Sequence, residues 1–352
     1  RWLSEGISVY EERQARGSWG EQMKPRYRAM ILGEDLTPVS ELSAAFLRPK
    51  TPVHLGFAYY ESSLVAEWLT QRWGLEKMKR LMADLARGVE INAALATHFA
   101  PIAQLDAEFA AHAQALAKNT GPKLDWAQPP PALLAKPQNA AAWFAENPDN
   151  FTALMESAKR LIAEKKWTEA KPPLTKLIEL YPNQHDPDSA YPMLARVHRE
   201  LGETDAELAI LSRFADLSAD ATPAFQRLME AAAHRKDWPL VIEHAGRYQA
   251  VDPLRAEPHR FEAEALAATN KNPAAIRSYR KVLALDAADP SATHFELARL
   301  LHAEKDAEAK RHVLLALEEA PRFRAAHELL LKIVGNKPVR ATTPAPDKVF
   351  TP

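Results

Sequence analysis

Glu5, in the opening RWLSEGISVYEE, has a position that could do chemistry. At about 100° per residue, Val9, Trp2, Gly6, Tyr10, Leu3 and Ile7 share one broad apolar arc of a helix, and Glu5 lies roughly 40° beyond Val9, on the arc's border. A carboxylate there suits a metal ligand, and it equally suits an ordinary acid reaching for water. A second candidate lies in HLGFAYYESSLVAEWLTQRWG. Helical spacing puts Tyr59 on the face of Ser62 and Ser63, and Tyr60 on the stripe of Leu64 and Trp68. Tyr59 is therefore the better hydroxyl for stabilising an oxyanion and Tyr60 the better core residue, although packing is open to both rings. Glu11 and Glu12 read as a solvated face, and His54 as a residue at the start of a helix. There is no cysteine, which removes thiolate ligands, thiol nucleophiles and disulfides together. None of the 12 His is followed by another three or four residues later, and HELLL at His327 ends in Leu331. No nucleophile elbow and no glycine-rich phosphate loop occur.

Trp2, Leu3, Glu5, Gly6, Ser8 and Tyr10 match, residue by residue, a W-L-x-E-G-x-[AS]-x-Y context. In this stretch the chain resembles the third-ligand helix of gluzincin zinc peptidases. The run around Tyr59 and the later GVEINAALATHFAPIAQLDAEFAAHAQ are similar to the downstream helices of bacterial gluzincin-like proteins that also carry tetratricopeptide arrays. The resemblance implies that Glu5 is a zinc ligand and Tyr59 a catalytic hydroxyl in an intact parent protein, where two His and the general base come from an HExxH helix. Gly6 is expected to allow close approach to that metal helix. HExxH is missing from this chain, so the chain by itself is expected to bind no zinc and to be inactive as a peptidase. Arg1 in place of Met reads as a fragment or a processed chain, and the cellular address stays open.

The elements that must position these residues are helices. Only 11 Gly occur in 352 residues and few stretches alternate with period two, so the class is all-α. Helices are expected near 2–16, 38–47, 54–73, 75–87 and 102–117, with PRYRAM and the stretch around Pro49 and Pro52 as breaks. A formal charge of -1 leaves no basic footprint for nucleic acid. No apolar run is long enough to cross a membrane as a helix.

Beyond residue 150 the chain repeats. Trp167 and Trp238 stand 71 residues apart, as do Pro182 and Pro253, while Ala275 and Ala309 are 34 apart and Pro253 and Pro321 are 68 apart. These separations fit a 34-residue unit with a three-residue insertion in NQHDPD. Leu154, Ala158, Leu161, Ala170, Leu174, Leu177 and Pro182 stand where the tetratricopeptide pattern wants large, small, large, small, large, small and proline, Leu177 being a departure. Later units place Tyr191, Leu194, Ala195 and Leu211, then Phe225, Leu228, Trp238 and Pro253, in matching positions. Ala263, Leu266, Ala275 and Tyr279 follow, then Leu297, Ala298, Ala309, Val313, Ala316 and Pro321. Five hairpins are expected over 151 to 323, with FRAAHELLLKIVG as a capping helix. The Lys, Asn and Arg set of carboxylate-clamp relatives is replaced by Met155 and Lys159, Pro192 and Arg196, Gln226 and Glu230, which disfavours a chaperone-tail ligand.

The expected organisation is a small helical gluzincin-like subdomain at 1–120, a Pro-rich linker at 121–150 held extended by Pro129 to Pro131, a tetratricopeptide α-solenoid at 151–335 and a disordered tail at 336–352. The implied function is a metallopeptidase fragment carrying an array whose groove takes a protein or peptide. The alternative, from a different class, is a non-catalytic tetratricopeptide interaction scaffold.

Overall fold

The computed structural model describes residues 1–130, 133, 140–285 and 287–335. The expected disordered tail and the centre of the Pro-rich linker lie outside them. Among the described residues are nineteen α-helices, one short 3₁₀ turn and no strand, only an isolated bridge between Asp125 and Asn150. The chain divides into two compact units, Arg1–Ala224 and Phe225–Pro352.

The first unit opens with α1 (Trp2–Ala15), α2 (Pro25–Leu32), a 3₁₀ turn (Val39–Glu41), α3 (Leu42–Leu47), α4 (Pro52–Trp73), α5 (Leu75–Ala86), α6 (Ile91–His98) and α7 (Ile102–Lys118). PRYRAM, expected as a break, is instead the start of α2. Pro25 occupies its first turn, where a missing N–H costs nothing, and Tyr27, Met30 and Ile31 bury into the core. The expected helix at 38–47 splits into the 3₁₀ turn and α3. Helix α6 was not expected as a separate element; Glu90 caps it by accepting the N–H of Ala93. α1 and α4 form the closest pair here, and around them Trp2, Tyr27, Phe57, Tyr60, Trp68 and Phe109 belong to one buried cluster.

The ends of the Pro-rich segment are docked rather than free. Trp126 stacks on Phe151 with centroids 4.8 Å apart, and the Arg28 guanidinium lies 4.3 Å from the Trp126 ring. α8 (Ala140–Glu146) leads to Asn150, which is buried and holds two segments together. Its amide donates to Asp125 Oδ2 and to the Ala127 carbonyl, both at 2.8 Å, while its oxygen accepts the N–H of Ala153 and caps the next helix. The first unit continues through α9 (Phe151–Ala163) with α10 (Trp167–Leu180) and α11 (Ala190–Glu200) with α12 (Thr204–Leu217). These are the first two expected hairpins. Within the unit, Ser18 accepts the N–H of Ala219 through its carbonyl at 3.1 Å, and Tyr181 donates its hydroxyl to the Met23 carbonyl at 3.3 Å.

The second unit begins within α13 (Thr222–His234), which pairs with α14 (Trp238–Val251), and goes on through α15 (Ala256–Ala268) with α16 (Asn272–Ala284) and α17 (Pro290–Ala303) with α18 (Ala309–Glu319). α19 (Arg324–Gly335) follows and buries Ala326 and Leu329 with Val313 and Ala316, as a capping helix should. The small position on the second helix of each hairpin is fully buried: Ala170, Glu207, Val241, Ala275 and Ala309. Val241 and Glu207 depart from a small residue, and Arg199 Nε meets the Glu207 carboxylate at 2.6 Å.

Two repeating details fix the register. Each hairpin turn passes through a left-handed residue, Lys165, Gly202, Lys236, Asn270 and Lys305, with φ between 57° and 72°. At equivalent positions on a following helix, Tyr191, His259 and His327 hydrogen-bond the carbonyls of Pro182, Pro253 and Pro321 at 2.8, 3.0 and 2.9 Å. The first of these spans three residues more than the others, which locates the insertion in NQHDPD. Gln184, buried in that insertion, donates to the Leu177 and Tyr181 carbonyls and accepts from the Ala190 N–H.

In the second unit His294 and His312 place their Nδ1 atoms 3.0 Å apart, so one imidazole donates to the other and at least one must be neutral. Burial lowers both pKa values; the neighbouring imidazole and Arg311 and Arg280 lower that of His312 further, while Glu308 opposes, and for His294 Glu319 opposes and Arg311 lowers. A histidine whose folded pKa lies below its unfolded value takes up protons preferentially on unfolding, so this contribution is intact above about pH 6.5 and is lost as pH falls. The thermal midpoint should drop between pH 7.5 and 5, and His312→Gln should drop less over that interval, read by circular dichroism.

Candidate functional site

A cleft of the first unit has a volume of about 720 Å³ and is walled by α1, α4, α7 and the loop after α10. Its fixed polar centre is Arg13, near the end of α1. One guanidinium nitrogen donates to Ser63 Oγ at 2.6 Å and to the Glu21 carbonyl at 3.0 Å, and the other meets Glu67 Oε2 at 2.9 Å. The pair is largely shielded, with side chains 14% and 27% exposed, so each charge keeps its partner in place. Glu67 also accepts from Gln71 at 3.0 Å.

Around this centre stand Tyr60, Leu64, His112, Leu116 and, from the repeat side, Tyr181 and His185. Burial pushes the Tyr60 and Tyr181 hydroxyls well above the usual phenol range. Burial likewise lowers His112, against the pull of Glu67, which keeps its imidazole neutral at physiological pH. His185 is lowered and its neighbour Asp186 raised, again mainly by burial. The walls therefore offer neutral hydrogen-bonding groups, one internally paired charge couple and an apolar patch from Leu64 and Leu116. That composition can hold a ligand by shape and hydrogen bonds.

The residues singled out in the sequence stand elsewhere. Glu5 lies on α1 with its side chain 35% exposed and Arg1 Nε 3.9 Å from its carboxylate. Tyr59 is half-buried against Phe46, edge to face at 5.0 Å. Neither lines the cleft. Tyr60 is a core ring, stacked on Tyr27 at 5.1 Å, but its edge also forms part of the cleft wall. His54 starts α4 and shares a 2.8 Å hydrogen bond with Thr51, and Glu11 and Glu12 face water. Among the described residues no group of three or more His, Asp and Glu could hold a metal ion. Glu5 by itself is one carboxylate donor, which does not make a zinc site.

Gly6 permits a close helix approach, here to α4. A Cβ built on Gly6 would meet the Ser62 carbonyl oxygen at 2.5 Å and Ser62 Cβ at 2.9 Å. Arg13, Glu67 and His112 carry no local sequence signal; 99 residues separate Arg13 from His112, and only the fold joins them.

No family model matches the sequence, and no curated protein matches it. Solved structures to which it is similar include YrrB, described as a tetratricopeptide protein with an unusual peptide-binding site. The two share 14% identity over 53% of this chain and 95% of that one, with a TM-score of 0.43. MamA from Desulfovibrio magneticus RS-1 shares 15% over 53% and 98%, with a TM-score of 0.37. Pseudomonas aeruginosa pilF shares 17% over 52% and 84%, with a TM-score of 0.37. Identities and TM-scores are low, so the repeat assignment rests on the chain's own hairpins, left-handed turns and proline contacts.

Because the atom blocking Gly6 is backbone and cannot swing aside, Gly6→Ala should separate α1 from α4 and destabilise the fold by about 1–3 kcal/mol. Urea denaturation monitored by tryptophan fluorescence measures it.

Proposed function

We propose that this chain is a non-catalytic interaction scaffold, whose helix hairpins carry a protein partner and whose cleft around Arg13 takes a short extended segment of that partner. The cleft is the observation that supports this most directly: a volume of about 720 Å³ with paired charges already satisfied and neutral donors and acceptors beside Leu64 and Leu116. Such a surface recognises amide groups and apolar side chains without needing a charged ligand. The helix-hairpin array is of the kind that builds peptide-binding surfaces.

Deleting residues 1–120 is a poor test, since Tyr181 and Ala219 bond directly to that segment. Peptides should instead be selected on the full chain from a displayed random library and their affinities measured by fluorescence anisotropy. Leu116 is 38% exposed on the cleft wall. Leu116→Asp should weaken the selected peptides at least tenfold, while Leu254→Asp, at an exposed residue of the second unit, should leave them unchanged. Equal binding by Leu116→Asp would remove the cleft from the site.

A second reading keeps the peptidase origin, and one arrangement favours it. Arg1 lies 3.9 Å from Glu5 and 5.9 Å from the ring of Phe46, and that ring packs on Tyr59. Glu5 and Tyr59 thus share one neighbourhood on two helices locked together at Gly6. In this reading Glu5 completes a zinc site in a longer protein that supplies both His, and Tyr59 serves its oxyanion. Zinc content of the upstream-extended protein decides it: Glu5→Gln should lower zinc affinity, and an unchanged value removes Glu5 from the ligands.

A further inference from the structure

A separate cavity of about 330 Å³ lies between the loop that follows α2, α3 with the turn after it, and the first half of α4, with Glu61 among its lining residues. Glu61 is 1% exposed, in the middle of the most buried helix of the first unit. Its Oε1 accepts the N–H of Thr37 at 2.5 Å, and its Oε2 is buried with no hydrogen-bond partner among the described residues. A polar atom left unmet inside a fold is costly, so a carboxyl group held there with one oxygen committed and the other unpartnered can take a donor once it ionises.

The surrounding groups say which donor. Glu34, Asp35 and Glu41 line the cavity with Glu61, against Arg48 and Lys50, with His54 as the remaining titratable group. Lys50 is taken by Asp35 at 2.6 Å, and His54 Nε2 also faces Asp35 at 3.4 Å. The balance left for a ligand is negative. The apolar wall of Leu36, Ala45 and Phe57 suits a short alkyl stem. A guanidinium would want both carboxylate oxygens side by side, whereas only Oε2 is open, which fits the single-point donation of an ammonium.

We propose that this cavity binds a primary ammonium group on a short alkyl stem, with Glu61 Oε2 as its acceptor. The ammonium comes either from a lysine side chain of a peptide or from a free aliphatic amine. Burial raises the free Glu61 carboxyl to about 8, so the ligand binds the ionised fraction. Apparent affinity should then rise roughly tenfold from pH 7 to pH 9, while an alkylammonium stays protonated.

The full chain should be titrated calorimetrically with n-butylammonium, with acetyl-Gly-Lys-Gly-amide and with 1-butanol. Saturable binding of n-butylammonium identifies a free amine as sufficient, and tighter binding of the peptide identifies a lysine side chain; butanol should not bind. Glu61→Gln keeps the carbonyl that Thr37 needs and should weaken the ammonium probes at least tenfold, with an unchanged circular dichroism spectrum. The pH series on the unsubstituted chain provides a readout that does not depend on the variant folding. Absence of saturation by both ammonium probes at pH 9, equal binding of butanol, or undiminished binding by Glu61→Gln overturns the proposal.

Discussion

Close approach of paired helices is the constraint on which the rest of this structure depends. Two helices can pack backbone to backbone only where one of them carries almost no side chain. In the first unit that residue is Gly6, which brings α1 against the Ser62 peptide of α4. In the hairpins it is alanine: Ala158 and Ala170, Ala263 and Ala275, and Ala309 in the last pair, all buried. Large residues such as Tyr191, Phe225 and Tyr279 then fill the space flanking these contacts. Where a charged residue takes the small position, as Glu207 does, the fold has to supply Arg199 to neutralise it.

The same tight pairing generates the polar features. Once α1 is held on α4, Arg13 has its partners within reach, and a long cationic side chain becomes a junction between α1, α4 and the Glu21 backbone. With α4 committed to the core on most of its surface, Glu61 is carried inside with it. One of its oxygens is used to hold the loop at Thr37, the other is buried without a hydrogen-bond partner, and the residue lines a cavity. Core packing and ligand capacity thus arise from one helix.

The array was legible in the sequence because its information is periodic. Repeated prolines, tryptophans and alanines at multiples of about 34 residues place every hairpin, and the three extra residues before Tyr191 identify the insertion. Within the N-terminal helices, pattern worked where a face was plainly amphipathic: Trp2, Leu3 and Val9 are buried as the arc required. It fails at PRYRAM, where Pro25 opens a helix instead of breaking one, and the close contact that Gly6 makes with α4 needs the fold to be seen. The cleft was out of reach, because Arg13, Glu67, His112 and His185 come from four distant stretches and none carries a motif. Glu61 was hidden for a different reason. In YYESS it looks like one polar residue in a mixed run, and its burial becomes visible only when the loop at Thr37 closes over it.

The left-handed residue in each hairpin turn has a consequence for how the array holds together. Lysine or asparagine in that conformation costs about 1 kcal/mol or more relative to a helical residue, and four of the five turns accept that cost at Lys165, Lys236, Asn270 and Lys305. The penalty falls inside a hairpin, whereas much of the compensating burial lies between one hairpin and the next, as where Phe261 packs with Met229 and Val241. A hairpin taken alone is therefore a poor folding unit, and neighbours must form together. Cooperativity along each stack is in this sense enforced by its turns, and loss of order should advance by whole hairpins from an end.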